Sequence, residues 1–185
     1  MLNFPILLAL ALTPTAAQPA PKAPFVWQDG DRPLPPHPSR AARDGFAAMM
    51  LVTPDADAFI AEWQKPETPN VATTERIARD KPVFAMLLVA GCRPAADGNC
   101  RVAAEFRMKR PDGAPYGEAR RGLALDGPPA PGGNLQLAMA TLGFSLDPPD
   151  PPGRYTIVAT LTDEIAGVTL TVEQSVEADK APRKR

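Results

Sequence analysis

The fold of this chain is decided by the stretch GRYTIVATLTDEIAGVTLTVEQSVEA, which occupies residues 153–178. From Tyr155 to Leu161 apolar side chains occur at every second position, the period of a β-strand with one buried face. Residues 163–167 then form a turn that contains a glycine. In the second half the inward positions are Val168, Leu170, Val172 and Val176, and the outward ones are Thr169, Thr171, Glu173, Ser175 and Glu177. We therefore predict an antiparallel hairpin with one face toward the core.

The same alternation recurs upstream of this hairpin. It is clearest in residues 101–109, and further strand-like runs lie at 46–52, 83–89, 116–125 and 135–146. Residues 83–89 are apolar on both faces, so this strand is expected to be central and covered on both sides. Within 135–146 the alternation slips by one residue, which predicts a β-bulge near Ala140 and Thr141. About seven strands at hairpin spacing predict a mainly β fold, an antiparallel two-sheet sandwich.

One short helix interrupts the strands before Pro66. Thr53 is a suitable N-cap residue, and Pro54 suits the first turn of a helix. Phe59 and Trp63 lie four positions apart and share one helical face. We expect this apolar face to pack on a sheet.

The run DPPGRYTIVATLTD, residues 150–163, resembles a late strand of immunoglobulin-like or fibronectin-type sandwich domains. In those folds a turn rich in proline and glycine leads to a tyrosine that ties the corner, a role the resemblance gives to Tyr155. The resemblance covers residues 81–178 and implies an immunoglobulin-like architecture in an exported bacterial protein. It departs from true immunoglobulin domains because Cys92 and Cys100 are too close in sequence to bridge two sheets. Fold-level similarity implies no activity.

The amino terminus has the pattern of a signal peptide. Residues 2–12 are almost wholly apolar, and the small residues Thr15 and Ala17 predict cleavage after Ala17. No lysine or arginine precedes the apolar run, which is a departure from the pattern. A membrane anchor is the alternative, but Pro5 and Pro14 interrupt a stretch shorter than the roughly 20 residues that a spanning helix needs. The expected location of the mature chain is the periplasm or the exterior of the cell.

The two cysteines agree with export. Cys92 and Cys100 bracket a polar loop between two strand-like runs, and oxidising compartments allow such pairs to form disulfides. The chain-entropy model assigns about 2.5 kcal/mol to so short a loop. A metal site would need further cysteine or histidine ligands nearby, and a redox pair usually has the spacing Cys-x-x-Cys. We predict a structural disulfide.

The chain divides by composition into four parts: a leader at 1–17, a proline-rich arm at 18–43, a β-sandwich domain at 44–178 and a basic tail at 179–185. Proline fixes φ and removes backbone hydrogen-bond donors, so the arm is expected to be extended, either as a spacer or as a ligand for an aromatic groove.

The formal net charge of −1 argues against general nucleic-acid binding, which requires the neutralisation of many phosphates.

Motifs for common enzymatic chemistry are not recognisable in the sequence. The single histidine, His37, lies between two prolines in the arm, and no serine occupies a Gly-x-Ser-x-Gly turn. Acidic residues in turns leave a carboxylate-based hydrolase or a calcium site open as alternatives. These residues are Asp147, Asp150, Asp163 and Glu164.

The sequence therefore predicts a non-enzymatic binding or adaptor module of the cell envelope, with no cofactor and no metal. Its expected partner is another envelope protein, contacted through exposed turns or by strand addition at a sheet edge. The candidate contact residues are Trp63, Tyr116, Arg93, Asp97 and Asn99. The alternatives are a carboxylate-based hydrolase of an envelope polymer and a glycan-binding protein that stacks sugars on Trp63.

Overall fold

The computed structural model describes residues 25–79 and 81–178, and it shows a mainly β fold with one short helix. The elements are β1 (Gln28–Asp29), β2 (Arg32–Pro33), β3 (Arg40–Arg43), β4 (Phe46–Thr53), α1 (Ala56–Trp63), β5 (Arg76–Ile77), β6 (Val83–Ala90), β7 (Cys100–Lys109), β8 (Arg120–Gly127), a 3₁₀ turn at Pro131–Gly133, β9 (Gln136–Phe144), β10 (Gly153–Asp163) and β11 (Val168–Ala178). The predicted leader and its cleavage site lie outside the described residues, and so does the basic tail.

The longer strands form two sheets with a core between them. One sheet has the order β5-β11-β10-β7-β8, the other has the order β3-β4-β6-β9, and β1 and β2 form a separate small hairpin. All pairings are antiparallel except that of the short β5 with β11. The four-stranded sheet curls, so that β9 approaches β8 at one side and β3 approaches β11 at the other.

The hairpin predicted from residues 153–178 is present and has a continuous register. Tyr155 pairs with Val176, and the pairing runs without interruption to Asp163 and Val168 at the turn. The apolar positions of both strands face the four-stranded sheet, and Tyr155 and Ile157 are fully buried. The hydroxyl of Tyr155 donates a 2.9 Å hydrogen bond to the carbonyl of Pro151, as expected of a tyrosine that ties its corner.

Strand β6 is central, as predicted from its two apolar faces. It lies between β4 and β9, and its residues are buried on both sides, including Met86 and Leu88 on the face away from the main core. Helix α1 packs against β6, and its Phe59 is buried and stacked on Trp63 at a centroid distance of 6.1 Å. The four-stranded sheet is therefore covered on both faces along β6.

The helix begins later than predicted, and its N-cap is Asp55 rather than Thr53. The Asp55 side chain accepts a 2.9 Å hydrogen bond from the backbone N–H of Ala58. Thr53 is the last residue of β4, and its hydroxyl oxygen instead accepts the N–H of Asp55. Both residues are of a type that caps helices well. Asp55 is the N-cap because Thr53 is still paired within the sheet.

The predicted bulge in β9 is confirmed. Met86 of β6 pairs with Thr141, but Leu88 pairs with Leu137, so three residues of β9 lie opposite Leu87 alone. Leu137 lies opposite Leu88, on the face away from the main core, and Met139 is 60% exposed, whereas Ala138, Leu142 and Phe144 pack against the core.

The cysteines predicted to pair lie at disulfide distance, with the two Sγ atoms of Cys92 and Cys100 2.07 Å apart. Both residues are buried at the end of the core.

The four-stranded sheet begins at Arg40, earlier than the predicted start of the folded body at residue 44, because β3 pairs with β4. No helix among residues 25–79 and 81–178 is long and apolar enough to cross a membrane.

Candidate functional site

The edge of β11 that faces away from β10 is covered at two places by other parts of the chain. The backbone N–H of Glu173 donates a 2.8 Å hydrogen bond to the carbonyl of Pro38, which precedes β3. Four residues further along, the N–H of Glu177 donates a 2.7 Å hydrogen bond to the carbonyl of Glu75, which precedes β5. Arg43 adds a contact near the start of the strand, because its Nη2 donates to the carbonyl of Thr169 at 2.6 Å.

Between these two contacts, no strand among the described residues pairs with the edge of β11. Because backbone groups alternate in direction along a strand with unbroken register, the N–H and C=O of Ser175 point to the same side as those of Glu173 and Glu177. In the described part of the chain, the only contact to these two groups is a long one, from Gln174 Nε2 to the Ser175 carbonyl at 3.4 Å. The edge therefore presents one donor and two acceptors, the latter being the carbonyls of Glu173 and Ser175.

A cleft of about 480 Å³ surrounds these groups. We call it the β11 notch and define it by six residues: His37, Pro38, Glu75, Arg154, Glu173 and Ser175. The notch continues from the edge of β11 onto the outer face of the sheet, where Thr156 and Ser175 contact each other through their hydroxyls at 3.3 Å. It brings together three segments that are far apart in sequence.

The charge of the notch is predominantly negative. Glu75, Glu173 and Glu177 contribute three carboxylates to its lining, against the single guanidinium of Arg154. Arg154 Nε lies 3.9 Å from Glu177 Oε2 and so offsets the charge of that carboxylate. The three carboxylates against one guanidinium leave the lining with an excess of two negative charges.

His37 is held in the wall of the notch by a local turn. Its Nδ1 accepts the backbone N–H of Ser39 at 3.2 Å and lies 2.8 Å from the Ser39 hydroxyl. Because Nδ1 is an acceptor, the proton of the neutral ring resides on Nε2. Ser39 is buried, and its hydroxyl takes part in this turn. Serine side chains commonly form such local hydrogen bonds with groups two residues away.

A second cleft of about 270 Å³ adjoins the notch on the side of β4. The two clefts share His37, Glu75 and Gln174 as lining residues. Gln174 occupies an inward position of β11, between Val172 and Val176, where the alternation calls for an apolar side chain. That polar residue in an apolar series is the one signal by which the sequence could have revealed this region.

The candidate contact residues predicted from the sequence lie elsewhere. Arg93, Asp97 and Asn99 share the loop closed by the disulfide, where Asp97 accepts the backbone N–H of Asn99 at 2.9 Å. That hydrogen bond, together with one from the Asn99 side chain, lowers the pKa of Asp97. Trp63 lies on α1 and Tyr116 follows β7, so the structure does not gather the five residues into one site.

Tyr116 is engaged in a polar cluster at one end of the sandwich. Its hydroxyl donates a 2.5 Å hydrogen bond to Asp150 Oδ2, which also accepts the backbone N–H of Asp147 at 2.8 Å. The guanidinium of Arg79 donates to the carbonyls of Asp147, Pro148 and Asp150. Burial, reinforced by the hydrogen bond to Asp150, raises the pKa of Tyr116 above its usual value. These contacts hold the turn between β9 and β10.

The acidic turns singled out by the sequence do not converge on one cleft. Asp150 serves the turn described above, and Asp163 is fully buried at the opposite end of β10, where its carboxylate accepts three backbone N–H groups. No group of three or more His, Cys, Asp or Glu side chains within the described ranges is arranged to hold a metal ion.

Two solved structures show a distant likeness to this chain. No protein-family model matches the sequence, and no curated protein matches it. An alkylpurine DNA glycosylase from Pseudomonas fluorescens, solved with DNA containing an abasic site analogue, is similar to 57% of this chain with 13% identity and a TM-score of 0.37. The match spans only 28% of the glycosylase chain.

A CARDB domain from Pyrococcus furiosus, solved in complex with di-metal ions, is similar to 57% of this chain and 81% of its own length. Its sequence identity is 18% and its TM-score 0.34. With TM-scores this low, neither likeness bears on the site of this chain.

Proposed function

We propose that the mature protein is a non-enzymatic binding module of the bacterial cell envelope that takes up an extended segment of a partner protein at the β11 notch. The observation that carries this proposal is the interrupted edge of β11. Hydrogen bonds to Pro38 and Glu75 cover the strand on either side, while the outward backbone groups of Ser175 have no strand partner among the described residues. An unpaired strand edge is a template for an additional strand.

The length of the gap determines what fits. The two covered positions, Glu173 and Glu177, lie four positions apart on β11, which corresponds to roughly 13 Å of strand. Two or three residues of an extended chain could pair with the N–H of Ser175 and the carbonyls of Glu173 and Ser175. The ends of such a segment would leave toward the outer face of the sheet, where the notch opens beside Arg154 and Thr156.

The proposal includes the exported location and the immunoglobulin-like architecture. Support for the location comes from the leader pattern at 1–17 and from the paired cysteines, since disulfides persist in oxidising compartments. Support for the architecture comes from the hydrogen bond of Tyr155 to Pro151 at the corner before β10.

The test uses a proline substitution that affects the notch but not the sheet. Because the N–H of Ser175 points away from β10, Ser175→Pro removes a donor from the notch without removing a hydrogen bond between β10 and β11. Thr171→Pro is the matched control, because Thr171 lies on the same strand, in the same orientation, and outside the lining of the notch.

Peptides that bind the mature chain, residues 18–185, are first selected from a displayed random-peptide library, and their affinities are measured by calorimetry. We expect Ser175→Pro to reduce affinity at least about tenfold, as does N-methylation of the peptide backbone, while Thr171→Pro retains binding. The proposal is wrong if no peptide is enriched, or if Ser175→Pro binds the selected peptides as tightly as the wild-type chain.

A further inference from the structure

We infer, on the basis of the proposed function, that the β11 notch selects a segment carrying a lysine or arginine side chain. This preference for a cationic side chain follows from the position of Glu173. In the register of β10 and β11, Glu173 lies opposite Val158, so β10 supplies no cation to its carboxylate. Its side chain is half-buried, and neither Glu173 nor Glu75 forms an ion pair with any residue in the described ranges.

Other carboxylates on the outer face of this sheet are neutralised within the chain. Glu105 lies between Arg107 and Arg121, whose hydrogen bonds lower its pKa. Glu177 lies beside Arg154 on the adjacent strand. Glu173 and Glu75 thus differ from these two carboxylates, and both line the notch in which the backbone groups of Ser175 face outward.

Strand pairing places an incoming side chain next to these carboxylates. Side chains of residues that pair across two strands lie about 5 Å apart, and diagonal neighbours lie within reach of a long side chain. A residue paired with Ser175 and directed to the outer face would therefore have Glu173 and Glu177 as diagonal neighbours. Because Arg154 already offsets Glu177, the attraction would come mainly from Glu173, with Glu75 at the other wall of the notch.

The backbone groups at the open edge of β11 also favour a positively charged ligand. The open edge presents two carbonyl oxygens and a single N–H, so the partial charges that face the ligand are also predominantly negative. An acidic segment would bring a like charge beside Glu173 without a compensating cation, which is unfavourable. The structure therefore assigns the notch a preference for a cationic extended segment over a neutral or an acidic one.

The experiment uses three pentapeptides that differ only at the central position, with the sequences Thr-Val-Lys-Val-Thr, Thr-Val-Met-Val-Thr and Thr-Val-Glu-Val-Thr, and with blocked ends. Each is titrated to millimolar concentration into the isotopically labelled mature chain, and the amide resonance of Ser175 is followed. We expect the lysine peptide to bind about tenfold more tightly than the methionine peptide. The glutamate peptide is expected to bind more weakly than both.

Glu173→Gln separates charge selection from strand addition. In this variant the lysine peptide should lose most of its advantage, while the affinity for the methionine peptide stays unchanged. Glu164→Gln removes an exposed carboxylate in the β10–β11 turn, outside the notch, and should change none of the three affinities.

The outcomes distinguish the two proposals. If all three peptides shift the Ser175 resonance with equal affinity, strand addition stands and the charge preference is wrong. If Glu173→Gln keeps the full preference for lysine, the assignment to Glu173 is wrong. If no peptide shifts Ser175, both the preference and the proposed binding mode fail.

Discussion

The backbone N–H of Arg93 donates a 2.7 Å hydrogen bond to Oδ2 of Asp163, and this contact joins the disulfide loop to the turn between β10 and β11. The other carboxylate oxygen, Oδ1, accepts the N–H groups of Ile165 and Ala166 at 3.1 Å. Asp163 is 0% exposed. A buried carboxylate is tolerated here because its oxygens are supplied with donors from two separate loops.

Removing this carboxylate should destabilise the protein strongly. Asp163→Ala leaves three backbone N–H groups, now in part-buried hydrogen bonds, without their acceptor, so we expect the free energy of unfolding to fall by about 3 kcal/mol. Asp163→Asn retains one oxygen acceptor and should cost roughly half as much. Urea denaturation of both variants measures the difference.

The neighbouring exposed residue provides the control for Asp163. Glu164→Ala alters a carboxylate one position away and should change the free energy of unfolding by less than about 0.5 kcal/mol. The role given to Asp163 is refuted if Asp163→Ala unfolds at the same urea concentration as Glu164→Ala.

Reduction of the disulfide should lower the free energy of unfolding by less than Asp163→Ala does. The bond between Cys92 and Cys100 closes a loop of eight-residue separation, for which the entropic model gives about 2.5 kcal/mol. We expect this decrease when the wild-type protein is unfolded in urea with a thiol reductant. A variant with both cysteines changed to alanine should be destabilised with or without reductant, and equal stability of oxidised and reduced wild-type protein would contradict the prediction.

The two tyrosines should make the fold sensitive to alkaline pH. Burial raises the pKa of Tyr116, with Asp150 adding to the effect, and burial also raises the pKa of Tyr155. A raised pKa means that the folded chain holds the phenolic proton more firmly than the unfolded chain does. The associated stability is present below about pH 10, the ordinary tyrosine value, and is lost progressively as the pH rises above it.

Urea denaturation at pH 9 and above pH 10 measures this loss, which linkage limits to about 1.4 kcal/mol per pH unit for each tyrosine. Tyr116→Phe should flatten the dependence, because Tyr155 alone then contributes. The chain contains two tyrosines, so tyrosinate absorbance in the native state reports on these residues alone. Native tyrosinate that appears at the same pH as in urea-unfolded chain would contradict the expectation.

Much of the fold was predictable because it depends on local periodicity. The strands β6, β7, β10 and β11 and the bulge in β9 follow from alternation at every second residue, and the tight loop between Cys92 and Cys100 follows from spacing. Helix α1 was predicted as an element but its N-cap was not, since Thr53 and Asp55 are both suitable by type. Only pairing of Thr53 within the sheet decided between them.

The sequence by itself determined the long strands β6, β7, β10 and β11, the buried faces of β7, β10 and β11, and that the two cysteines can meet. The tertiary structure alone decided that Pro38 and Glu75 would cover β11 on either side of Ser175. Those contacts join positions more than one hundred residues apart in the sequence, and no local pattern of hydrophobicity encodes such distances. Edge pairing of this kind is settled by how the two sheets curl toward each other, so the β11 notch, and with it the placement of His37 and Glu173 in its lining, emerged only from the packed fold.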